Sequence, residues 1–538
     1  MKPDGRKTAY ARFSEGLSST ANWTLRITGS LIFLALSYYA MKYTQYIAQY
    51  KYETPVNVLD SRSRNILGLG IAVLILVCLF VLEKHLSVKA QTWMLRIMPA
   101  AMSLWIGGCG FWWITMISRT PVGDQAFVYG GASYFIEGKY FFLAKGAYCD
   151  MWPHQLGLIA LVELLFRIVG TYNYFACQLI CVGMAVGIGI LGFQLVRQMS
   201  EHMAVAAAYC ILMFVCLPLI FYTSWVYGDI PSIFFMMLAA FCLLHYAKAG
   251  RTGWLAGLVV SVLMAVLVRK NSLIMLVALC LAAGVYAIEK KNKKLILALA
   301  LSAILPWMAY MGIYKMYQVR SGMEPLGGIP AVSYLAMGMQ EEEGKYGWFT
   351  EYSTNVYRAA DSDPKLAAQI SWQDVKDRWE IFVVNPSYTW NFYREKVLSQ
   401  WNQPMYQSMF FSAQHPGNET VPQDSIDAKL HGAYLLKVLA ICDRIQFILY
   451  VGMLCYYLFA VKKKSNILQH MLAATIIGGF FFSILWEAKA RYVFPYYVMM
   501  YPLAVIGYWQ AMRGVAAMIG RLRGRRKEDN VIPFRRVA

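Results

Sequence analysis

Along the chain, long apolar runs alternate with short polar breaks. Runs of roughly 17–25 mostly apolar residues can cross a hydrocarbon core as helix. Three of them, near 24–46, 65–82 and 97–117, come first. Six more fit between residues 173 and 316, and three after 431. The pattern predicts an all-α polytopic membrane protein with about 12 transmembrane helices. Two breaks stand apart. Residues 118–156 are rich in Gly, Tyr and Phe, and 317–431 is the one large hydrophilic stretch. A further apolar run, QLGLIALVELLFRIVG at 155–170, fits either a span or a helix lying on the surface.

Charge decides that run. The chain is 58% hydrophobic and 15% charged, with a mean hydropathy of +0.43; a soluble protein carries roughly 25% charged residues. A net charge of +20 would suggest nucleic acid, but the surplus lies in short loops and tails between spans. There it reads as the positive-inside signature of a protein in contact with membrane lipids, with no nucleic-acid partner. Lys2, Arg6, Lys7 and Arg12 place the N-terminus in the cytoplasm, with the first span as an uncleaved signal anchor. Lys84, Lys89 and Arg96 are inside, so the loop 118–156 is outside. Were 155–170 to cross, every later basic loop would fall outside. It is therefore expected to lie at the surface or half-inserted, with Glu163 and Arg167 paired four residues apart. Arg197, Lys248, Arg251, Lys290, Lys291, Lys293, Lys294, Lys462–Lys464 and the tail GRLRGRRK then lie inside, and both termini are cytoplasmic.

This division gives four regions. Residues 1–96 hold the N-terminus and two extra helices. Residues 97–316 form the main transmembrane module, carrying the external loop 118–156. Residues 317–431 form an external cap, and 432–538 hold the last helices and a basic tail. The cap has 14 acidic against nine basic residues, five tryptophans and an amphipathic stretch, SYTWNFYREKVLSQW. Of 11 cysteines only Cys149 falls in an external loop, and no Cys-x-x-Cys pair occurs, so they read as packing residues. No internal repeat of the kind transporters show is visible. Asn418-Glu419-Thr420 matches a glycosylation acceptor pattern.

The candidate chemistry collects on the external side. Asp124 follows the third span in a loop held by Pro121 and Gly123, and could take a proton from a hydroxyl or start a helix. Asp229 sits at another outer boundary, before Ile230-Pro231, where a helix cap is the simpler reading. Two such carboxylates could flank a reacting centre or hold a divalent metal ion, and the cofactor stays unassigned. Asp150, His154 and Gln155 lie in YCDMWPHQLG. Arg269 and Lys270 end a short apolar run on the side where cations are disfavoured, which either a bound anionic lipid headgroup or snorkelling to ordinary phospholipid phosphates would explain. Arg491 and Tyr492 lie in WEAKARYVFP, where Glu487 and Arg491 could pair along a helix.

In that order the set resembles the GT-C superfamily of membrane glycosyltransferases, notably the protein O-mannosyltransferase and aminoarabinose transferase branch. The resemblance covers about residues 97–511 and rests on Asp124, YCDMWPHQLGL, FYTSWVYGDIP and Arg491-Tyr492-Val493-Phe494-Pro495. The segment AVSYLAMGMQEEEGKYGWF looks like the outer loop of related bacterial proteins. Gln125 stands where many members carry a second acid. The resemblance implies inverting transfer of a sugar from a polyprenyl-phosphate donor to a hydroxyl of a cell-envelope glycan, lipid or protein. Asp124 would be the base, Asp229 a second acid or metal ligand, and His154, Gln155, Arg269, Lys270, Arg491 and Tyr492 would bind substrate. The alternatives are a lipid-linked sugar flippase or a non-catalytic scaffold for envelope-polymer assembly. The first two helices have no counterpart in this reading.

Overall fold

A computed structural model describes residues 9–47, 53, 55–59, 62–117, 121–324, 327–413 and 425–522. Lys2, Arg6, Lys7, residues 523–527 of the basic tail and the Asn418-Glu419-Thr420 triplet lie outside the described residues. The chain begins with α1 (Ala9–Lys42), a hairpin of β1 (Tyr43–Ile47) and β2 (Pro55–Leu59), α2 (Arg62–His85) and α3 (Val88–Met116). β1 and β2 pair antiparallel, with Tyr43 opposite Leu59 and Ile47 opposite Pro55. Next come α4 (Asp124–Ile136), α5 (Tyr148–Met151) and α6 (Leu156–Val169). The middle of the bundle holds α7 (Tyr174–Met199), α8 (Met203–Phe214), α9 (Leu217–Phe221), α10 (Asp229–Ala249), α11 (Gly253–Val268), α12 (Leu273–Glu289) and α13 (Lys293–Ser321).

The cap follows as α14 (Ala331–Met337), the short strands β3 (Glu341–Glu342) and β4 (Lys345–Tyr346), α15 (Tyr352–Ala359), α16 (Pro364–Val384), α17 (Pro386–Trp401), α18 (Ser408–Ala413) and α19 (Ile426–His431). The chain closes with α20 (Leu435–Cys455), α21 (Met471–Leu485) and α22 (Phe494–Leu522). Among the described residues nine helices are long and apolar enough to cross a membrane, or up to 11 if each of two bent pairs counts once. The protein is an all-α polytopic membrane protein by this measure. The first helix starts earlier than its apolar run, at Ala9, and yields to β1 at Tyr43. The third starts at Val88, where Ser87 caps it by accepting the Ala90 N–H at 3.3 Å.

The run 155–170 follows a sharp bend in the chain. The segment Phe141–Met151 meets Pro153–Val169 at 106°, with Pro153 opening the second. α6 packs on α4, α11 and α13, burying Leu156, Ile159, Val162 and Phe166 on one face and leaving Leu164 and Ile168 exposed. Glu163 is buried on it. Its carboxylate takes Arg167 at 2.6 Å, Arg320 at 2.8 Å and the Tyr317 hydroxyl at 2.6 Å. The four-residue pair read from the sequence is thus one arm of a network that ties α6 to α13. An acid so enclosed is tolerable because every oxygen is engaged.

Two glycines set how closely the elements around the end of α11 approach. A side chain at Gly157 of α6 would collide with the Leu267 carbonyl oxygen. Gly228, just before α10, has φ +85°, and a Cβ there would lie 2.7 Å from the Val268 carbonyl oxygen. The last turn of α11 is therefore gripped from two sides. Gly157→Val should destabilise the protein by about 1–3 kcal/mol through overpacking. Gly183→Ala on α7, where a Cβ meets nothing within 4 Å, should be neutral or stabilising by about 0.4–1 kcal/mol. Thermal unfolding in detergent checks both.

Candidate functional site

Both aspartates begin a helix directly after a glycine in a positive-φ conformation. Gly123 has φ +57° before Asp124 of α4, and Gly228 has φ +85° before Asp229 of α10. A carboxylate in the first turn is favoured by the helix dipole, so the helix-start and functional readings hold together here. The two differ in exposure. Asp229 is fully buried, while the Asp124 side chain is 45% exposed.

Asp229 is ion-paired through Oδ1 with Arg269, which follows α11, and its Oδ2 has no partner. Asp124 faces Arg491, whose Nη2 lies 3.7 Å from Oδ2. Arg491 sits in a 3-10 turn, Ala490–Tyr492, ahead of α22. The ring of Tyr492 lies between the two arginines, 5.8 Å from the Arg269 guanidinium carbon and 5.7 Å from that of Arg491. One cluster thus gathers Asp124, Asp229, Arg269, Arg491 and Tyr492. Burial and the like charge of Arg491 push Arg269 down to about 10, so it remains a cation at neutral pH.

Arg491 is the centre of this cluster. It is 3% exposed, and aromatic rings surround it: Phe411 at 4.7 Å, Tyr227 at 5.0 Å, and Trp225 and Tyr492 at 5.7 Å. Burial disfavours its charge, but Tyr492 and Asp124 more than offset that, and its net shift is upward. Its Nε and Nη1 have no hydrogen-bond partner, and neither has the nearby Trp225 Nε1. Buried donors left unspent cost free energy and call for an acceptor. The Arg491 backbone N–H is held at 3.1 Å by the Gln407 side chain.

The turn between α5 and α6 supplies the opposite wall. Gln155 donates to the Tyr227 hydroxyl at 2.8 Å, and Tyr148 and Tyr227 share a hydrogen bond of 3.0 Å. His154 lies 3.3 Å from the Gln155 amide, and the exposed Lys270 acts on His154 by its charge. Tyr148 stacks on Phe127 with centroids 4.5 Å apart. Asp150 belongs elsewhere. Its carboxylate takes the Gly146 and Gly327 N–H groups at 2.8 and 2.7 Å and the Tyr357 hydroxyl at 3.1 Å, which clamps the loop to the cap.

Four further side chains take part, of which only Glu487 was singled out in the sequence. Glu487 is buried and accepts from Tyr492 rather than pairing with Arg491, its Oε2 has no partner, and burial pushes its carboxyl up. Lys489 reaches Glu53 of the β1–β2 hairpin at 3.2 Å. Gln407 donates to the same carboxylate at 3.3 Å. Lys396 of α17 is fully buried, donates to the Gly338 carbonyl, and feels the charge of Glu487. Among the described residues no group of three or more His, Cys, Asp or Glu could hold a metal ion. Asp124 and Asp229 each face an arginine instead.

No known protein-family model matches the chain, and comparison with curated proteins yields no match either. The fold and site define a class: a multi-pass, all-α membrane protein with a buried cationic centre beneath a helical cap.

Asp229→Asn leaves Arg269 buried without a counter-charge and should cost about 3–5 kcal/mol of stability, measured as a lower unfolding temperature. Lys396 gives a pH signature. Burial holds its amine at about 7, well below the ordinary lysine value of about 10.4. Between those values the unfolded chain binds the extra proton, so stability should rise with pH by up to about 1.4 kcal/mol per unit. Thermal unfolding from pH 7 to 10 should show that slope, and Lys396→Met should remove it.

Proposed function

We propose that this chain is a GT-C-type glycosyltransferase with about 12 membrane-crossing helices. It would move a sugar from a polyprenyl-phosphate donor to a hydroxyl of a cell-envelope acceptor on the outer face of the membrane, with inversion. The observation that carries the reading is the buried Arg491, with two unspent N–H donors, facing a half-exposed carboxylate. Such donors fit a phosphate oxygen, and a guanidinium held rigidly in a dry site stabilises charge that develops on a leaving group. Arg269, anchored by Asp229, adds a second cation beside the same tyrosine. The rings of Trp225, Tyr227 and Phe411 offer apolar faces for a sugar.

Chemically, Asp124 takes the proton of the acceptor hydroxyl as its oxygen attacks the anomeric carbon. The bond from that carbon to the phosphate oxygen breaks, and the lipid phosphate leaves with the electron pair. Arg491 and Arg269 neutralise it. Asp229 acts by holding Arg269 rather than by touching the acceptor. His154, Gln155 and Lys270 line the approach to the same pocket and would contact the donor or acceptor.

Purified protein incubated with a panel of polyprenyl-phosphate sugars should release lipid phosphate and form glycosylated acceptor. Asp124→Asn should lower the rate by about 10²–10⁴ in protein that still folds, with a fall in unfolding temperature smaller than that of Asp229→Asn because Asp124 is half-exposed. Full transfer by that variant would remove Asp124 as the base. Movement of intact donor across vesicles without bond cleavage would favour a flippase.

A further inference from the structure

The first two helices and the hairpin between them contribute to the site. α1 packs on α20, and β1 emerges from it toward the cap. Two anchors fix the hairpin. The Gln45 N–H donates to the Asn402 carbonyl at 2.9 Å, and the Asn402 side chain donates back to the Tyr43 carbonyl. At its base the buried Asp443 of α20 accepts from Thr44 at 2.9 Å and from Asn65 at 3.1 Å. These bonds join β1 and the start of α2 to the end of α17 and to α20.

Glu53 lies between the strands, with φ +46°, a conformation a non-glycine residue holds only when its surroundings impose it. Its carboxylate binds Lys489 at 3.2 Å and the Gln407 amide at 3.3 Å. Both partners lead to the centre of the site. Lys489 is two residues before Arg491 in the same short turn, and the other end of the Gln407 amide holds the Arg491 N–H. Gln407 itself has φ +60°, so its backbone too is held in a conformation that few side chains favour. The Glu53 side chain is 18% exposed and that of Lys489 10%, so water competes little for the pair.

We infer that Glu53 is a positioning residue of the site. Through Lys489 and Gln407 it sets where the Arg491 guanidinium stands, so the β1–β2 hairpin is a built part of the headgroup pocket. The ligand named here, an isoprenyl phosphate, rests on the functional reading above; the hydrogen-bonded path does not. Neutralising Glu53 without altering its shape separates position from charge. If Glu53 only cancelled positive charge, Glu53→Gln would leave the pocket more cationic and tighten anion binding. If it positions Arg491, binding weakens despite the added positive charge.

The test uses the full-length protein in detergent and two readouts. The first is binding of farnesyl phosphate, followed by the ligand-induced shift in unfolding temperature, with inorganic phosphate as a control. Glu53→Gln should weaken farnesyl phosphate by about 10–100-fold, the usual effect of removing a supporting residue. Each variant's ligand-induced shift is read from its own unliganded unfolding temperature, which falls for Glu53→Gln because Lys489 loses its counter-charge. Glu53→Asp should recover part of the binding. The second readout needs no ligand: the rate at which an amine-acylating reagent labels Lys489, read by mass spectrometry against Lys437. Loss of the carboxylate partner should raise that rate. Equal or tighter farnesyl phosphate binding by Glu53→Gln overturns the inference, as does unchanged Lys489 labelling. Failure of the unaltered protein to bind any isoprenyl phosphate overturns the functional reading alone, and the labelling then decides the role of Glu53.

Discussion

A guanidinium enclosed by aromatic rings, with part of its hydrogen-bonding capacity unused, is the constraint on which the rest of the site depends. Removing such a group from water costs several kcal/mol; Asp124 and the ring faces offset that cost for Arg491 and still leave two of its donors without an acceptor. Two donors of Arg491 therefore stand ready for an acceptor. The surrounding elements are arranged to hold the group still. Gln407 fixes its backbone, Tyr492 separates it from Arg269, and Asp229 fixes Arg269 in turn. Each cation has a defined neighbour, and none relies on a long flexible side chain finding its place.

The participants come from distant parts of the chain. Glu53, Asp124, Gln155, Tyr227, Arg269, Gln407 and Arg491 belong to seven separate segments. They meet because the connections at one end of the bundle fold inward and the cap closes over them. The turn before α6 brings Gln155 to Tyr227. The parallel bridge between Trp348 and Ala488 joins the cap to the turn that carries Arg491. The cap thus touches the segment that carries Arg491.

Much of this was legible in the chain, and the reason differs from residue to residue. Apolar runs of sufficient length announce helices without ambiguity, because a bilayer leaves backbone groups few alternatives. Arg269 was conspicuous because a cation on the disfavoured side needs a cause, and Asp124 because it follows a glycine at the end of a span. The expectation that 155–170 lies at the surface came from charge bookkeeping alone; a 106° bend at Pro153 separates that run from the segment before it. Periodicity, in contrast, could not see Glu53 or Gln407. Their roles arise from tertiary contact across more than 350 residues of sequence, and nothing local marks them. The intrahelical pairing suggested for Glu487 and Arg491 also failed to form, because residues 490–492 make a 3-10 turn and Glu487 is turned toward Tyr492.

The length of α11 bears on the depth at which Arg269 sits. Its 16 residues rise about 24 Å, short of the roughly 30 Å of a typical hydrocarbon layer. Set upright in a bilayer, a rod of that size leaves its end submerged, and Arg269 with it. Gly157 and Gly228 hold that end in place, so it cannot slide outward to make up the difference. A guanidinium at that level would meet the first carbons of the lipid tails rather than the layer of headgroup charges, and Asp229 is the counter-charge that the chain provides for it there.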